Sequence, residues 1–135
     1  MSTMTITWDF DDLEDSIQDG GYQRDPRWPL VEHFLNQLEF RSGGVRLDIS
    51  DKPGEGAYML DVTGEEGKYY PTLLYRMADG HSQSRAYDDK SKGTDLVDVR
   101  RESYYDCNVI QDFALILRMF KEFYDTGSVS EELLK

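Results

Sequence analysis

The chain has 135 residues, with 27 Asp and Glu against 15 Lys and Arg, a formal net charge of -12 and 39% hydrophobic residues. That is the length of one domain, residues 1–135, with enough apolar material to pack a core rather than stay a disordered acidic tail. The carboxylate surplus argues against direct binding to nucleic acid or anionic lipid, which carry the same sign, and no run of about 18 apolar residues offers a membrane span.

Residues 3–10 place Met4, Ile6, Trp8 and Phe10 on one side and Thr or Asp on the other, the period of a half-buried strand. Residues 9–21 then hold Asp9, Asp11, Asp12, Glu14, Asp15 and Asp19 without a base, show no sustained apolar period and end in Gly20-Gly21, so they read as a solvated loop. Asp25 suits an N-cap and Pro26 the first helical position. Trp28, Val31, Leu35 and Leu38, widened by Leu30 and Phe34, form the apolar stripe of a helix ending near Phe40. From Gly44 to about Arg100 the period changes to two. Val45, Leu47 and Ile49, then Tyr58, Leu60 and Val62, alternate with polar residues, and turn chemistry stands at residues 52–56 and 64–67. Residues 69–77 are a third strand in which Pro71 implies an edge, a bulge or a strand start, and residues 84–88 and 94–99 are shorter candidates. Asn108 or Asp112 caps a second helix carrying Phe113, Ile116, Leu117, Phe120 and Phe123 or Tyr124, and Gly127 stops it. Val129, Leu133 and Leu134 are expected to fold back onto the core. The fold class is therefore α+β, an antiparallel β-sheet with two amphipathic helices packed on one face.

Residues that could carry chemistry are few. His33 lies beside Glu32 on the first helix and His81 in a turn; a catalytic histidine needs a nucleophile or carboxylate held in place, which the sequence does not locate, so both read as surface or half-buried histidines. Cys107 stands between Asp106 and Asn108, where negative charge raises a thiol rather than activating it. One cysteine allows no internal disulfide, and two scattered histidines do not complete a zinc set with it. The acidic stretch lacks the glycine of a calcium loop, since position six from Asp9 is Glu14, and Gly54-Glu55-Gly56 is not framed by a strand and helix as a phosphate cradle is. No enzyme activity, metal or cofactor is expected. A small metal-dependent hydrolase built on clustered carboxylates is the remaining catalytic alternative. The N-terminus shows neither the positive segment nor the apolar run of a secretory leader, and with the lone cysteine this points to the cytoplasm.

The acids themselves are the stronger signal. A late group, Asp88, Asp89, Asp95, Asp98, Glu102 and Asp106, is interleaved with Tyr87, Tyr104 and Tyr105. Tyrosine supplies contact area with little rotamer freedom to lose, and acids steer a basic protein partner by long-range attraction. Tyr87, Asp88, Asp89, Asp95, Asp98, Glu102, Tyr104 and Tyr105 are thus the first candidate contact residues, with Asp11, Asp12, Glu14 and Asp15 in second place. Solvation of a small domain is the plain alternative for either group.

The segments GGYQRDPRWPLVEHFLNQL, GGVRLDI and DFALILRMFKEFYDTGSVSEELL resemble a family of small bacterial domains that we associate with immunity proteins of contact-dependent and other polymorphic toxin systems. These segments are helix stripes and caps, so the resemblance implies a shared fold and no toxin-binding position. The role it implies is neutralisation of a cognate toxin C-terminal domain, a basic nuclease-type protein, by covering its active or target-binding site. An acidic adaptor that docks a cellular protein without any toxin is the alternative. The sequence leaves the oligomeric state open.

Overall fold

The computed structural model describes residues 3–11 and 18–134. Six strands form one antiparallel sheet: β1 (Thr5–Asp11), β2 (Gln18–Arg24), β3 (Gly43–Asp48), β4 (Gly56–Glu65), β5 (Lys68–Arg76) and β6 (Ser82–Ala86), in the order β2-β1-β3-β4-β5-β6. Helix α1 (Trp28–Gln37) lies between β2 and β3, and α2 (Phe113–Thr126) follows the sheet. Cross-strand register aligns Ile6 with Leu47, Leu47 with Leu60, and Leu60 with Leu73, a row of fully buried side chains. Both helices close over this row with Val31, Leu35 and Leu38 from the first and Ile116, Met119, Phe120 and Phe123 from the second. The fold is α+β, with an apolar and a polar face to its sheet. No helix among the described residues is long and apolar enough to cross a membrane.

The helix ends follow local chemistry. Asp112 caps α2 by accepting from the Ala114 amide at 3.1 Å, and Gly127 ends it in the left-handed conformation at φ 81°. Beyond it, Glu122 accepts from the Ser130 amide at 2.9 Å and turns Val129, Leu133 and Leu134 back onto the core. The first helix departs from expectation. Asp25 has φ 53° and lies outside it, Pro26 is buried ahead of it, and Arg27 stands at the N-cap with no side-chain hydrogen bond. The Pro26 carbonyl instead accepts from the Tyr124 hydroxyl at 2.9 Å, which ties the approach to α1 onto α2.

The solvated loop expected over residues 9–21 is corrected at both ends, where residues 9–11 and 18–21 are paired strand, while residues 12–17 lie outside the described residues. Strand β1 continues to Asp11 and pairs along its length with β2, so Gly20 and Gly21 are strand residues opposite Asp9 and Trp8. A Cβ on Gly21 would meet the Trp8 indole at 2.8 Å, so this glycine makes room for the ring that stacks on Phe34 at 3.9 Å. Pro71 is buried inside β5, beside Val62 of β4. The Tyr69 amide points away from β4, to the Ile110 carbonyl at 2.8 Å, so position 71 points the same way. Strand β6 begins pairing only at Thr72, and the missing proline donor therefore falls on a local edge.

The chain leaves β5's neighbour at Ala86, opposite Thr72, and returns at Ile110, bridged to Tyr69. Between them lie a second, two-stranded sheet, β7 (Leu96–Val99) and β8 (Glu102–Tyr105), and a 3-10 turn (Asp106–Asn108). The Asp89 amide donates to Cys107 O at 2.8 Å and Lys92 Nζ to Val109 O at 2.9 Å, drawing the two limbs of this excursion together.

Candidate protein-binding site

Strands β7 and β8 are joined by Arg100 and Arg101, at φ 49° and 72°. Two positive φ values in a two-residue connection make a turn of the I′ kind, which matches the strand twist but favours Asn and Gly over arginine. The register pairs Leu96 with Tyr105, Val97 with Tyr104, Asp98 with Ser103, and Val99 with Glu102. Alternation gives the hairpin two faces. Val97, Val99, Glu102 and Tyr104 share the inner one. Val99 is fully buried and the Tyr104 ring stacks on Tyr70 of β5 at 3.9 Å. Leu96, Tyr105, Asp98 and Ser103 share the outer one, where Leu96 is 67% and Tyr105 53% exposed.

The inner face sits on the polar side of the large sheet. Arg100 Nη1 lies 3.1 Å from Asp9 Oδ1 and its Nη2 3.1 Å from Asp11 Oδ1, joining the hairpin turn to β1. Lys68 Nζ adds a bond to the Asp98 carbonyl at 2.7 Å. The hydrogen bond from Arg100 holds the Asp11 carboxyl below the ordinary carboxylate range, against the opposing effect of burial. Burial pushes the Arg100 guanidinium down, but bonding to Asp11 and the Asp9 charge outweigh it and leave it raised. On the same face, desolvation lifts Asp61 above the usual range despite Arg46 at 3.7 Å. Burial and the neighbouring Glu102 charge push the Tyr104 phenol up to about 12.

The first group of candidate residues is therefore divided rather than continuous. Asp95, Asp98 and Tyr105 are exposed, and Asp98 accepts from the Ser103 hydroxyl at 2.6 Å. Asp88 is exposed, on the limb leading out from β6. Asp89 closes a turn by accepting from the amide and hydroxyl of Ser91, at 3.0 and 2.7 Å. Glu102 and Tyr104 belong to the inner face, joined at 3.3 Å through the phenol, and Tyr87 is half-buried against the core. Asp11 is the last residue of β1 and already paired with Arg100. Asp12, Glu14 and Asp15 lie outside the described residues.

Leu96 and Arg100 had no place among the candidates. An exposed leucine leaves no mark in an alternating pattern, and an Arg-Arg turn lacks turn chemistry. His33 meets the Phe34 ring edge-on, and His81 Nδ1 lies 2.8 Å from Asp79 in an exposed turn. Among the described residues no three His, Cys, Asp or Glu side chains gather as a metal-ligand set.

These features define a class: an acidic antiparallel α+β domain with a two-stranded excursion laid over the polar face of its sheet. The chain belongs to the DUF6911 family, a family of unknown function, whose model matches residues 8–133. No curated protein matches it. A crystal structure of a hypothetical protein from Neisseria gonorrhoeae is similar in fold, with a TM-score of 0.79 over 95% of this chain and 91% of that one. Sequence identity is 14%, so the likeness speaks for the fold alone.

Proposed function

We propose that this domain is an immunity protein that binds a basic toxin domain through the outer face of the β7–β8 hairpin and covers its active or target-binding site. The observation that carries the reading is the cross-strand pair Leu96 and Tyr105, both exposed, on a hairpin that also displays Asp95 and Asp98. A leucine and a tyrosine ringed by acids supply what a protein interface uses, an apolar anchor with a charged surround. Burying what remains exposed of each against a partner contributes about 1–2 kcal/mol. The net charge of -12 adds attraction toward a basic cleft, where the domain would compete with a phosphate backbone. Inhibition by occlusion asks for no catalytic residue, cofactor or metal, and such a protein works in the cytoplasm beside the toxin's target.

The test begins with capture on the full chain from lysate of its own cells. The expected result is recovery of the C-terminal domain of a large secreted protein, whose toxicity on expression is relieved by co-expressing this chain. Leu96→Ser with Tyr105→Ser should then weaken the complex at least about tenfold, and Asp95→Lys with Asp98→Lys should slow association by about tenfold at low salt. Recovery of a housekeeping protein alone overturns the immunity reading in favour of an adaptor. Unchanged binding by both double variants removes the hairpin from the interface.

A further inference from the structure

At the turn end of the sheet, the loop after α1, the β4–β5 turn and the β7–β8 turn enclose a cleft of about 590 Å³. Phe40 stands on it and is 84% exposed, the greatest exposure among the large hydrophobic side chains described. Among the described residues its ring stacks on no other aromatic and holds no cation. The aromatic faces that do hold cations belong to Phe10, Tyr58, Tyr75, Trp28 and Tyr124. Glu39, Glu65, Glu66 and Glu102 share the cleft with it.

The charges already present do not balance these carboxylates. Arg100 is joined to Asp9 and Asp11, and Arg41 to Asp19 at 3.0 Å. Arg101 also lines the cleft, and makes no ion pair among the described residues. With Asp11, five carboxylates thus line the cleft against three guanidiniums, two of them already paired, beside an open aromatic ring. Glu102 is oriented by the Tyr104 hydroxyl at 3.3 Å, and the Ser42 hydroxyl lies 3.5 Å from Glu65.

We infer that this cleft receives an arginine side chain from the bound protein, its guanidinium stacked on Phe40 and hydrogen-bonded to the surrounding glutamates. A planar cation with five donors uses an aromatic face and two or more carboxylates at once, which an ammonium does less well. The inference deepens the docking reading above and rests on it for the partner that carries the arginine. The hairpin's outer face would hold the partner's apolar contact while the cleft, one turn away along the same hairpin, reads a basic side chain.

The cleft is tested on the full chain without any partner. N-acetylarginine amide is titrated into labelled protein at low salt and followed by NMR, with the neutral isostere N-acetylcitrulline amide as control. Saturable shifts centred on the Phe40 ring and the amides of Glu65, Glu66 and Glu102 are expected, with none from citrulline. Phe40→Ala should weaken the probe roughly threefold, and Arg101→Ala, which removes the competing cation, should tighten it by a similar factor. Shifts spread equally over Asp88, Asp95 and other exposed acids, or equal binding of the neutral probe, overturn the inference. Because the probe is not the partner, a blank titration removes the cleft and leaves the hairpin reading standing. Failure to recover a toxin leaves a positive titration intact.

Discussion

Replacing Arg100 by alanine and, separately, by glycine distinguishes what its side chain holds from what its backbone costs. The guanidinium joins Asp9 and Asp11, and hydrogen bonds to charged groups contribute about 1.5–3 kcal/mol each when well shielded. Here the Asp9 and Asp11 side chains keep 47% and 32% of their surface accessible, so both carboxylates rehydrate when the arginine is removed. The total loss for Arg100→Ala is therefore set at about 2 kcal/mol rather than the sum. Arg100→Gly loses the same contacts but is at home at φ 49°. A left-handed residue with a side chain costs about 1–2 kcal/mol, against about 0.5–1 kcal/mol for the extra freedom of glycine in the unfolded chain. The glycine variant should thus lie about 0.5–1 kcal/mol above the alanine variant, or about 2–5 °C in Tm. Urea unfolding followed by tryptophan fluorescence measures both midpoints, with equal slopes required for the comparison. A Cm for Arg100→Ala indistinguishable from the parent would refute the clamp. A glycine variant no better than alanine would refute the backbone strain.

Arg101→Gly, at φ 72°, should raise stability by about 0.5–1 kcal/mol in the same urea unfolding, since it relieves the conformation without breaking a described ion pair. Gly43→Ala should cost at least about 2 kcal/mol in urea, because the added methyl runs into the Phe10 ring and the Asp9 carbonyl across the β1–β3 pair. Asp11 and Asp61 should respond to pH with opposite signs. The lowered Asp11 contributes above the ordinary carboxylate range and loses that contribution as pH falls through its native value, so Asp11→Asn is destabilising at pH 7. The raised Asp61 is a burden at pH 7 that lifts as pH falls, so Asp61→Asn should stabilise there, and stability curves of the two variants from pH 3 to 7 read both effects. The Tyr104 phenol, raised to about 12, favours the folded state below the unfolded value near 10 and loses that preference as pH climbs toward 12. Tyr69 and Tyr87 are raised by burial as well, so ultraviolet titration should show several late phenols, of which the one near 12 disappears in Tyr104→Phe.

Elements held by burial were legible in the sequence. The stripes of both helices, the alternation in β1, β3 and β4, the Asp112 cap and the Gly127 stop all express a local period or a local hydrogen bond. What failed depended on partners far along the chain. Strand β2 shows no apolar period where Gly20 and Gly21 stand opposite Asp9 and Trp8 and Gly21 leaves room for the Trp8 ring of the paired strand. Asp25 resembles a cap, but Tyr124, from the far end of the molecule, fixes the backbone beside it. Strand β8 was unreadable because its turn is Arg100-Arg101, held open by Asp9 and Asp11 rather than by turn residues. The candidate site was half legible. Asp95, Asp98 and Tyr105, chosen for the mixture of acids and aromatics, lie exposed on the hairpin, while Leu96 and the division of the group into two faces required the register.

The excursion between Ala86 and Ile110 departs and returns opposite Thr72 and Tyr69, three positions apart on a single strand. At about 3.3 Å per residue its feet stand roughly 10 Å apart. Its outward residues, Asp95, Leu96, Asp98 and Tyr105, take no part in the main apolar cluster, which sits on the opposite face of the sheet. On the docking reading proposed above, recognition would be mounted like an exchangeable head on a fixed handle. Segments of different length and chemistry could be grafted between the same two feet, changing what is recognised while the six-stranded body and both helices stay as they are.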